Sequence, residues 1–130
     1  MPLSKCLKKT FTLSQKDFNL FADLSGDHNP IHIDPAYSAE TRFGATVSHG
    51  MLLFTLIKGA TQKLFPEYEM IEQELMFPAP AYADEELTLL LENTNSLAAQ
   101  DIVLKTRIIK ADGSACLEGQ CRLNKTTGNF

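Results

Sequence analysis

Residues 25–32, which read Ser-Gly-Asp-His-Asn-Pro-Ile-His, contain the side chains best suited to chemistry. They place the carboxylate of Asp27 and the imidazole of His32 five positions apart, across an Asn-Pro turn. Carboxylates and imidazoles both exchange protons, so the two groups can act as a general base and its proton-sharing partner. Such a pair can activate a water molecule, for example for addition to a carbon-carbon double bond. The rest of the chain has to bring the pair together.

The composition is that of one folded domain. The 130 residues, 44% of them hydrophobic, favour a single domain that covers residues 1–130. A formal net charge of −4 with mixed signs argues against a broad nucleic-acid or anionic-membrane surface. The longest apolar stretch, residues 51–57, is far shorter than the ~20 residues that span a bilayer, and the N-terminus lacks a signal-peptide core. We therefore expect a cytoplasmic protein with no nucleic-acid or membrane partner.

The cysteines do not form a recognisable framework. Cys6, Cys116 and Cys121 are odd in number and lack metal-ligand spacing. We interpret Cys116 and Cys121 as reduced packing residues within a strand.

The first half of the chain has helical patterning. A short strand through Phe11 and Leu13 precedes a helix that begins after Ser14 and ends at Gly26. Its expected apolar stripe comprises Phe18, Phe21, Ala22 and Leu24.

An irregular segment and a second helix follow. In residues 27–47, two prolines and Gly44 interrupt the periodicity, which predicts an excursion with at most one short helix, around residues 37–41. Ser48 then precedes a run that is apolar on nearly all sides, which predicts a buried helix ending near Pro66.

The second half has strand patterning. Four runs are separated by Pro, Asp, Asn and Gly turns: residues 70–77, 86–93, 102–110 and 115–123. Asp112-Gly113 predicts a hairpin between the last two runs. We therefore predict an α+β fold, a single hot-dog domain in which an antiparallel sheet of about five strands wraps around a central apolar helix. Such a sheet has exposed edges, which favours a homodimer or a dimer of dimers.

The chain resembles the MaoC-like, R-specific enoyl-CoA hydratase family in two segments. Residues 21–35 read Phe-Ala-Asp-Leu-Ser-Gly-Asp-His-Asn-Pro-Ile-His-Ile-Asp-Pro, and residues 48–52 read Ser-His-Gly-Met-Leu. The Gly-Asp-x-Asn-Pro-x-His string is the specific part. The resemblance implies a hot-dog enzyme that reversibly hydrates a 2-enoyl-CoA to the R-3-hydroxyacyl-CoA, without a metal or an organic cofactor.

The resemblance also implies roles for individual residues. Asp27 is the expected base, and His32 orients the same water and shares the proton. The backbone N–H of Gly50, at the start of the central helix, is the expected donor to the oxyanion of the thioester. The candidate substrate-binding residues are Asn29, Ser48, His49, Met51 and Lys58, although Asn29 also fits a role in fixing the turn.

Two alternative interpretations apply to these residues. An Asp-x-Asn-Pro segment taken by itself is typical of a turn in which the carboxylate caps backbone amides, and only the complete string favours catalysis. A metal cluster is also conceivable, because histidines and carboxylates bind iron or zinc. The histidines lack the H-x-x-x-H spacing of helical ligands, so no metal is expected.

Lys58 lies eight residues after Gly50, where relatives that take simple acyl chains tend to carry a small residue. Its stem can pack while its ammonium reaches water, or it can enter the acyl tunnel and favour a short or polar acyl group. For the phosphates of coenzyme A, the sequence offers four cationic candidates: Arg42, Lys63, Lys105 and Arg107.

Three other functions remain open on this fold. They are a 3-hydroxyacyl-ACP dehydratase, a module that binds acyl-CoA without turnover, and an acyl-CoA thioesterase. A preference for acyl carrier protein over coenzyme A would indicate the first function. Binding without turnover would indicate the second, and release of a free thiol the third.

Overall fold

The computed structural model describes residues 6–95 and 100–126. Along the chain the elements are β1 (Cys6–Phe11), α1 (Gln15–Ser25), α2 (Pro30–Ile33), α3 (Pro35–Ala39), α4 (Gly50–Leu64), β2 (Tyr68–Met76), β3 (Leu87–Asn93), β4 (Asp101–Lys110) and β5 (Ala115–Lys125). The strands form one antiparallel sheet in the order β1-β3-β4-β5-β2, and α4 packs on it. The predicted α+β hot-dog fold is confirmed.

Helix α1 is delimited by local signals that the sequence contains. The Ser14 hydroxyl accepts from the Asp17 N–H at 3.1 Å, and the Asp17 carboxylate accepts from the Ser14 N–H at 2.9 Å. At the other end Gly26 adopts the left-handed conformation, with φ 81°. The predicted apolar stripe is wrong at Leu24, which is 77% exposed because it lies at the last turn, beyond the core contact of Phe18 and Ala22.

Two predictions about the N-terminal half are wrong in detail. Strand β1 ends at Phe11, and Leu13 lies in the core outside the strand. The excursion contains two short helices rather than one. Each begins with a proline, whose fixed φ suits the first helical position, and each is capped by the preceding side chain, Asn29 or Asp34.

Helix α4 is enclosed on one side only. Its buried residues are Leu52, Leu53, Ile57 and Thr61. Met51 is 52% exposed, and Thr55, Lys58 and Gly59 are exposed as well. The predicted central helix is thus buried on one face and not all round, because one five-stranded sheet covers one face of a helix.

The sheet follows the predicted strands to within a few residues. The Asp112-Gly113 hairpin is confirmed, and Gly113 has φ 89°. Cys116 and Cys121 are free thiols buried on β5, as predicted, and burial raises the pKa of each to about 11. No helix in the described part of the chain is long and apolar enough to cross a membrane.

Candidate active site

The site is built around residues 46–49, a buried segment that enters α4. The N–H of Val47 donates to the carbonyl of Ile31 at 3.1 Å, and the N–H of Ser48 donates to the carbonyl of Ala81 at 2.8 Å. The segment is therefore attached on one side to the α2 region and on the other to the loop that follows β2. Both loops take their positions from it.

His32 is oriented by a backbone carbonyl. Its Nδ1–H donates to the carbonyl of Val47 at 2.8 Å, and since a carbonyl only accepts, this nitrogen carries the proton. In the neutral ring Nε2 therefore presents a lone pair. That Nε2 lies 3.8 Å from Oδ2 of Asp27, and the side chains of His32 and Asp27 are 14% and 54% exposed. The two predicted catalytic side chains thus meet at the protein surface.

The carboxylate of Asp27 uses its two oxygens differently. Oδ1 accepts from the N–H of Asn29 at 3.2 Å, which is the turn-capping interaction, while Oδ2 faces His32. The N–H of Asp27 donates to the hydroxyl of Ser25 at 3.1 Å. The turn and the catalytic interpretations of Asp27 are therefore compatible.

His49 lies beneath the pair and is only 2% exposed. Its Nε2–H donates to the backbone carbonyl of Asp27 at 3.0 Å. Its ring stacks on His32, with centroids 3.9 Å apart and an interplanar angle of 25°, and meets the edge of Phe21 at 4.9 Å. Burial lowers the pKa of His49 below its ordinary value near 6.5, so the neutral ring is favoured.

Ligand atoms of Asp27, His32 and His49 lie within 4.8 Å of one another, which is the spacing of a possible metal group. An imidazole binds a metal in the plane of its ring, along the lone pair of nitrogen. The rings of His32 and His49 are stacked, so their lone pairs lie in planes only 25° apart and are poorly placed to converge on one ion, and each ring already donates one N–H to a backbone carbonyl. The arrangement suits an acid–base pair better than a chelate.

Gly50 is the first residue of α4, and no side chain caps this end of the helix. A Cβ at Gly50 would lie 2.9 Å from the ring of Phe77. The missing side chain therefore accommodates Phe77, a neighbour that the sequence did not indicate. The uncapped N–H groups of the first turn are suited to a developing negative charge.

A cavity of about 290 Å³ adjoins the start of α4. Its wall includes Ser48, Gly50, Phe77 and Arg42, whose guanidinium lies 4.8 Å from the ring centroid of Phe43. Neither Asp27 nor His32 lines this cavity. Ser48, within the segment that supports the Asp27–His32 pair, and Gly50, which follows that segment, therefore both line the cavity.

A polar network supports the far wall of this cavity. The ammonium of Lys110 lies 3.4 Å from the carboxylate of Glu85 and donates to the carbonyl of Pro80. The hydroxyl of Tyr82 donates to the carbonyl of Phe43 at 3.0 Å. The network joins the loop after β2 to the loop before α4.

The other candidate residues lie further away. His28 is exposed and lies 3.1 Å from the carboxylate of Asp23. Asn29 accepts from the N–H of Ile31 at 3.1 Å and so caps α2. Lys58 borders a separate cavity of about 230 Å³ between α4 and β2.

Of the cationic candidates, the structure places Arg42 at the cavity beside Gly50. Lys63 lines a larger, mostly apolar groove of about 610 Å³ between α4 and strands β1 and β3, which contains neither catalytic candidate. Arg107 lies 3.8 Å from Glu92, and Lys105 is an exposed neighbour of Gln120 in the sheet.

The sequence thus identified Asp27, His32, His49 and Gly50 as residues of one region. It missed Val47, whose carbonyl orients His32, and Phe77, whose ring packs on Gly50. Neither residue type signals such a task. Val47 acts through its backbone, and Phe77 reaches the site only through the pairing of β2 in the sheet.

A sheet packed on one helix defines a hot-dog protein, and the Asp–His pair beside the start of that helix is its candidate acid–base site. The MaoC like domain family matches residues 4–113, and the chain belongs to this family.

Known proteins similar to the chain include hydratases and a dehydratase. The (R)-specific enoyl-CoA hydratase of Aeromonas caviae is 37% identical over 103 residues, which are 77% of each protein. The solved structure described as an (R)-hydratase from A. caviae involved in PHA biosynthesis has a TM-score of 0.88 and 28% identity, covering 97% of this chain and 98% of that one. The mitochondrial 3-hydroxyacyl-[acyl-carrier-protein] dehydratase of Arabidopsis thaliana is 30% identical over 86 residues, 66% of this chain and 52% of that protein.

The lowered pKa of His49 predicts a pH dependence of stability. Below about pH 6.5 the unfolded chain binds a proton at His49 that the folded protein resists, so stability falls as the pH drops from 7 to 5. The charges of His32, Asp27 and His28 also act on the pKa of this ring. The melting temperature of His49→Gln should therefore decrease less than that of the wild type over this range, while His28→Gln should follow the wild type. Parallel curves for His49→Gln and wild type would contradict the expectation.

Proposed function

We propose that the chain is a hydro-lyase that reversibly adds water to a 2-enoyl-CoA to give the R-3-hydroxyacyl-CoA. One observation carries the proposal: two proton acceptors, Oδ2 of Asp27 and Nε2 of His32, lie 3.8 Å apart at an accessible position. This separation is too long for a direct hydrogen bond and suits a water molecule that donates one O–H to each. The similar hydratases support the same reaction.

Hydration proceeds in two halves. Asp27 takes a proton from the water while the oxygen of the water bonds to C3. The electron pair of the double bond moves through C2 to the thioester oxygen. The catalytic pair then returns the proton to C2. The face of the double bond that the water attacks at C3 fixes the R configuration, return of the proton to C2 from the same side makes the addition syn, and dehydration is the reverse.

The negative charge on the thioester oxygen needs a donor. The N–H of Gly50 fits this role because it opens a helix that has no side-chain cap and borders a cavity. The helix dipole favours negative charge at the same place. Ser48 and Met51 flank this donor and are the proposed substrate contacts.

Asp27→Asn and His32→Ala should each reduce turnover ~100-fold or more, because the first removes the base and the second removes an acceptor of the catalytic water. Turnover is measured as the loss of ultraviolet absorbance when crotonyl-CoA is hydrated, followed by chiral analysis of the 3-hydroxy product. His28→Ala is the matched control, since His28 is a neighbouring but exposed imidazole, and it should retain wild-type activity.

Near-normal rates in either variant would exclude that residue from the mechanism. Release of free coenzyme A would indicate a thioesterase. Tight acyl-CoA binding without turnover would indicate a binding module.

We infer coenzyme A as the carrier, with Arg42 as the cation that contacts its phosphates, because Arg42 borders the cavity beside Gly50. The Arabidopsis relative keeps an acyl-carrier-protein substrate as the second candidate. Comparison of kcat/KM for the two thioesters of one acyl group separates them. We further propose that residues 1–130 form one domain that works without a metal or an organic cofactor. We also propose a cytoplasmic location, with which the three free thiols agree.

We propose that Lys58 limits the acyl group to short or polar chains. Lys58 lies about 12 Å along α4 from Gly50, given the rise of a helix. Its cavity also contains Gln62 and Glu69, so the wall there is polar. An apolar acyl end that reached this cavity would desolvate charged groups without giving them partners.

Lys58→Ala should raise kcat/KM for an eight-carbon enoyl-CoA by ~10-fold or more relative to crotonyl-CoA, because the ammonium no longer opposes an apolar end. Lys63→Ala, a change on the same helix but in the separate groove, should leave this ratio unchanged. A wild-type enzyme that used both chain lengths equally well would refute the proposed role of Lys58.

We propose that two copies associate through β2 and the exposed face of α4. In the described sheet β2 pairs only with β5, so its outer edge is available. Exposed apolar side chains lie on β2 and just beyond it, at Ile71, Met76 and Phe77, and the ring of Phe77 packs against Gly50, the residue before the exposed Met51 of α4. A second copy would cover this surface and the open side of α4.

Ile71→Glu should shift the protein from dimer to monomer, because it places a charge in the proposed contact. Leu20→Glu introduces the same charge at a residue of similar exposure on α1 and should leave the assembly intact. Sedimentation velocity measures both. A wild-type monomer, or a dimer that Ile71→Glu does not weaken, would exclude this interface.

A further inference from the structure

We propose that His49 is a positioning residue for the hydration, because its Nε2–H holds the backbone carbonyl of Asp27 and so sets the carboxylate against His32. The inference rests on the proposed hydratase function. It assigns His49 a task other than contact with substrate, since the side chain is buried beneath the pair.

The contacts of His49 reach both catalytic residues. Its Nε2–H donates to the carbonyl of Asp27 at 3.0 Å, across 22 positions of sequence. The face of its ring stacks on His32 at 3.9 Å. Because Asp27 lies on a loop between α1 and α2, this bond is a tertiary restraint that acts directly on its backbone. A misplacement of about 1 Å can cost ~100-fold in rate, so such a restraint matters to catalysis.

The second nitrogen of His49 shows that this residue is not optimised for stability. Nδ1 is buried and has no hydrogen-bond partner in the described part of the structure. As the N-cap of α4, His49 also makes no side-chain bond to the helix. An unpartnered buried acceptor destabilises the folded state, and an apolar ring of similar size would avoid this cost. What an apolar ring cannot supply is the donor at the Nε2 position.

Three substitutions separate the donor from the ring. Gln carries its N–H group as many bonds from Cβ as Nε2 of His, so His49→Gln keeps the donor and removes the ring. His49→Phe keeps a ring for His32 and removes the donor. His49→Met matches Gln in length, lacks the donor, and serves if the Phe ring prevents folding. Melting temperatures confirm that the compared variants are folded.

We expect loss of the donor to lower kcat and to leave KM nearly unchanged. His49→Phe and His49→Met should lower kcat for crotonyl-CoA by ~10- to 100-fold with KM within ~3-fold of wild type, whereas His49→Gln should retain a kcat at least ~10-fold above theirs. Equal losses in Gln and Met, a wild-type kcat in either variant without the donor, or an effect confined to KM would overturn the proposal.

An activity-independent measurement keeps this test separate from that of the proposed function. The amide NMR signals of residues 27–32 report the mobility of the loop that carries Asp27. They should broaden or shift in His49→Met and remain close to wild type in His49→Gln. A wild-type protein without hydratase activity would exclude the proposed function, and unchanged signals in His49→Met would exclude the positioning role.

Discussion

The site depends on the attachment of residues 46–49 to two loops. The N–H of Val47 bonds to the carbonyl of Ile31, and the carbonyl of Val47 accepts from His32, so one residue anchors the α2 region and orients the imidazole proposed to act in catalysis. The next N–H, that of Ser48, bonds to Ala81 and brings in the loop after β2. The segment itself is buried, where an unpaired backbone group is costly, so it has little freedom to shift. The start of α4, the Asp27–His32 pair and the cavity wall are therefore positioned together.

Two requirements compete at this position. The proposed chemistry needs Asp27 at an accessible point, and its side chain is 54% exposed. A fixed geometry of the Asp27–His32 pair requires the same loop to be held in place. The structure meets both requirements by placing a buried histidine beneath the exposed carboxylate. His49 makes one bond with Nε2 and leaves Nδ1 unpartnered, so local stability is reduced where the geometry of the pair is secured.

The incomplete enclosure of α4 links the fold to its proposed assembly. The sheet buries one face of the helix and leaves Met51 exposed, next in the chain to Gly50, on which Phe77 just beyond β2 packs. A short sheet has this consequence whenever a helix is apolar around most of its circumference. A second copy is the simplest cover for such a surface, and it would lie close to Gly50 and the cavity beside it. Assembly and substrate access are thus expected to depend on the same end of α4.

The sequence by itself determined the features that depend on neighbours along the chain. The cap at Ser14, the end of α1 at Gly26, the Asp112-Gly113 hairpin and the strand alternation follow from interactions within a few residues, and the Asp27–His32 pair lies within one short string. Helix α2 was missed because proline both breaks and begins helices, and only the cap at Asn29 decides which. Tertiary structure alone decided the orientation of His32 by the Val47 carbonyl, the packing of Phe77 on Gly50 and the bond from His49 to Asp27. Those contacts join positions far apart in sequence through backbone atoms, which carry no residue-specific signal.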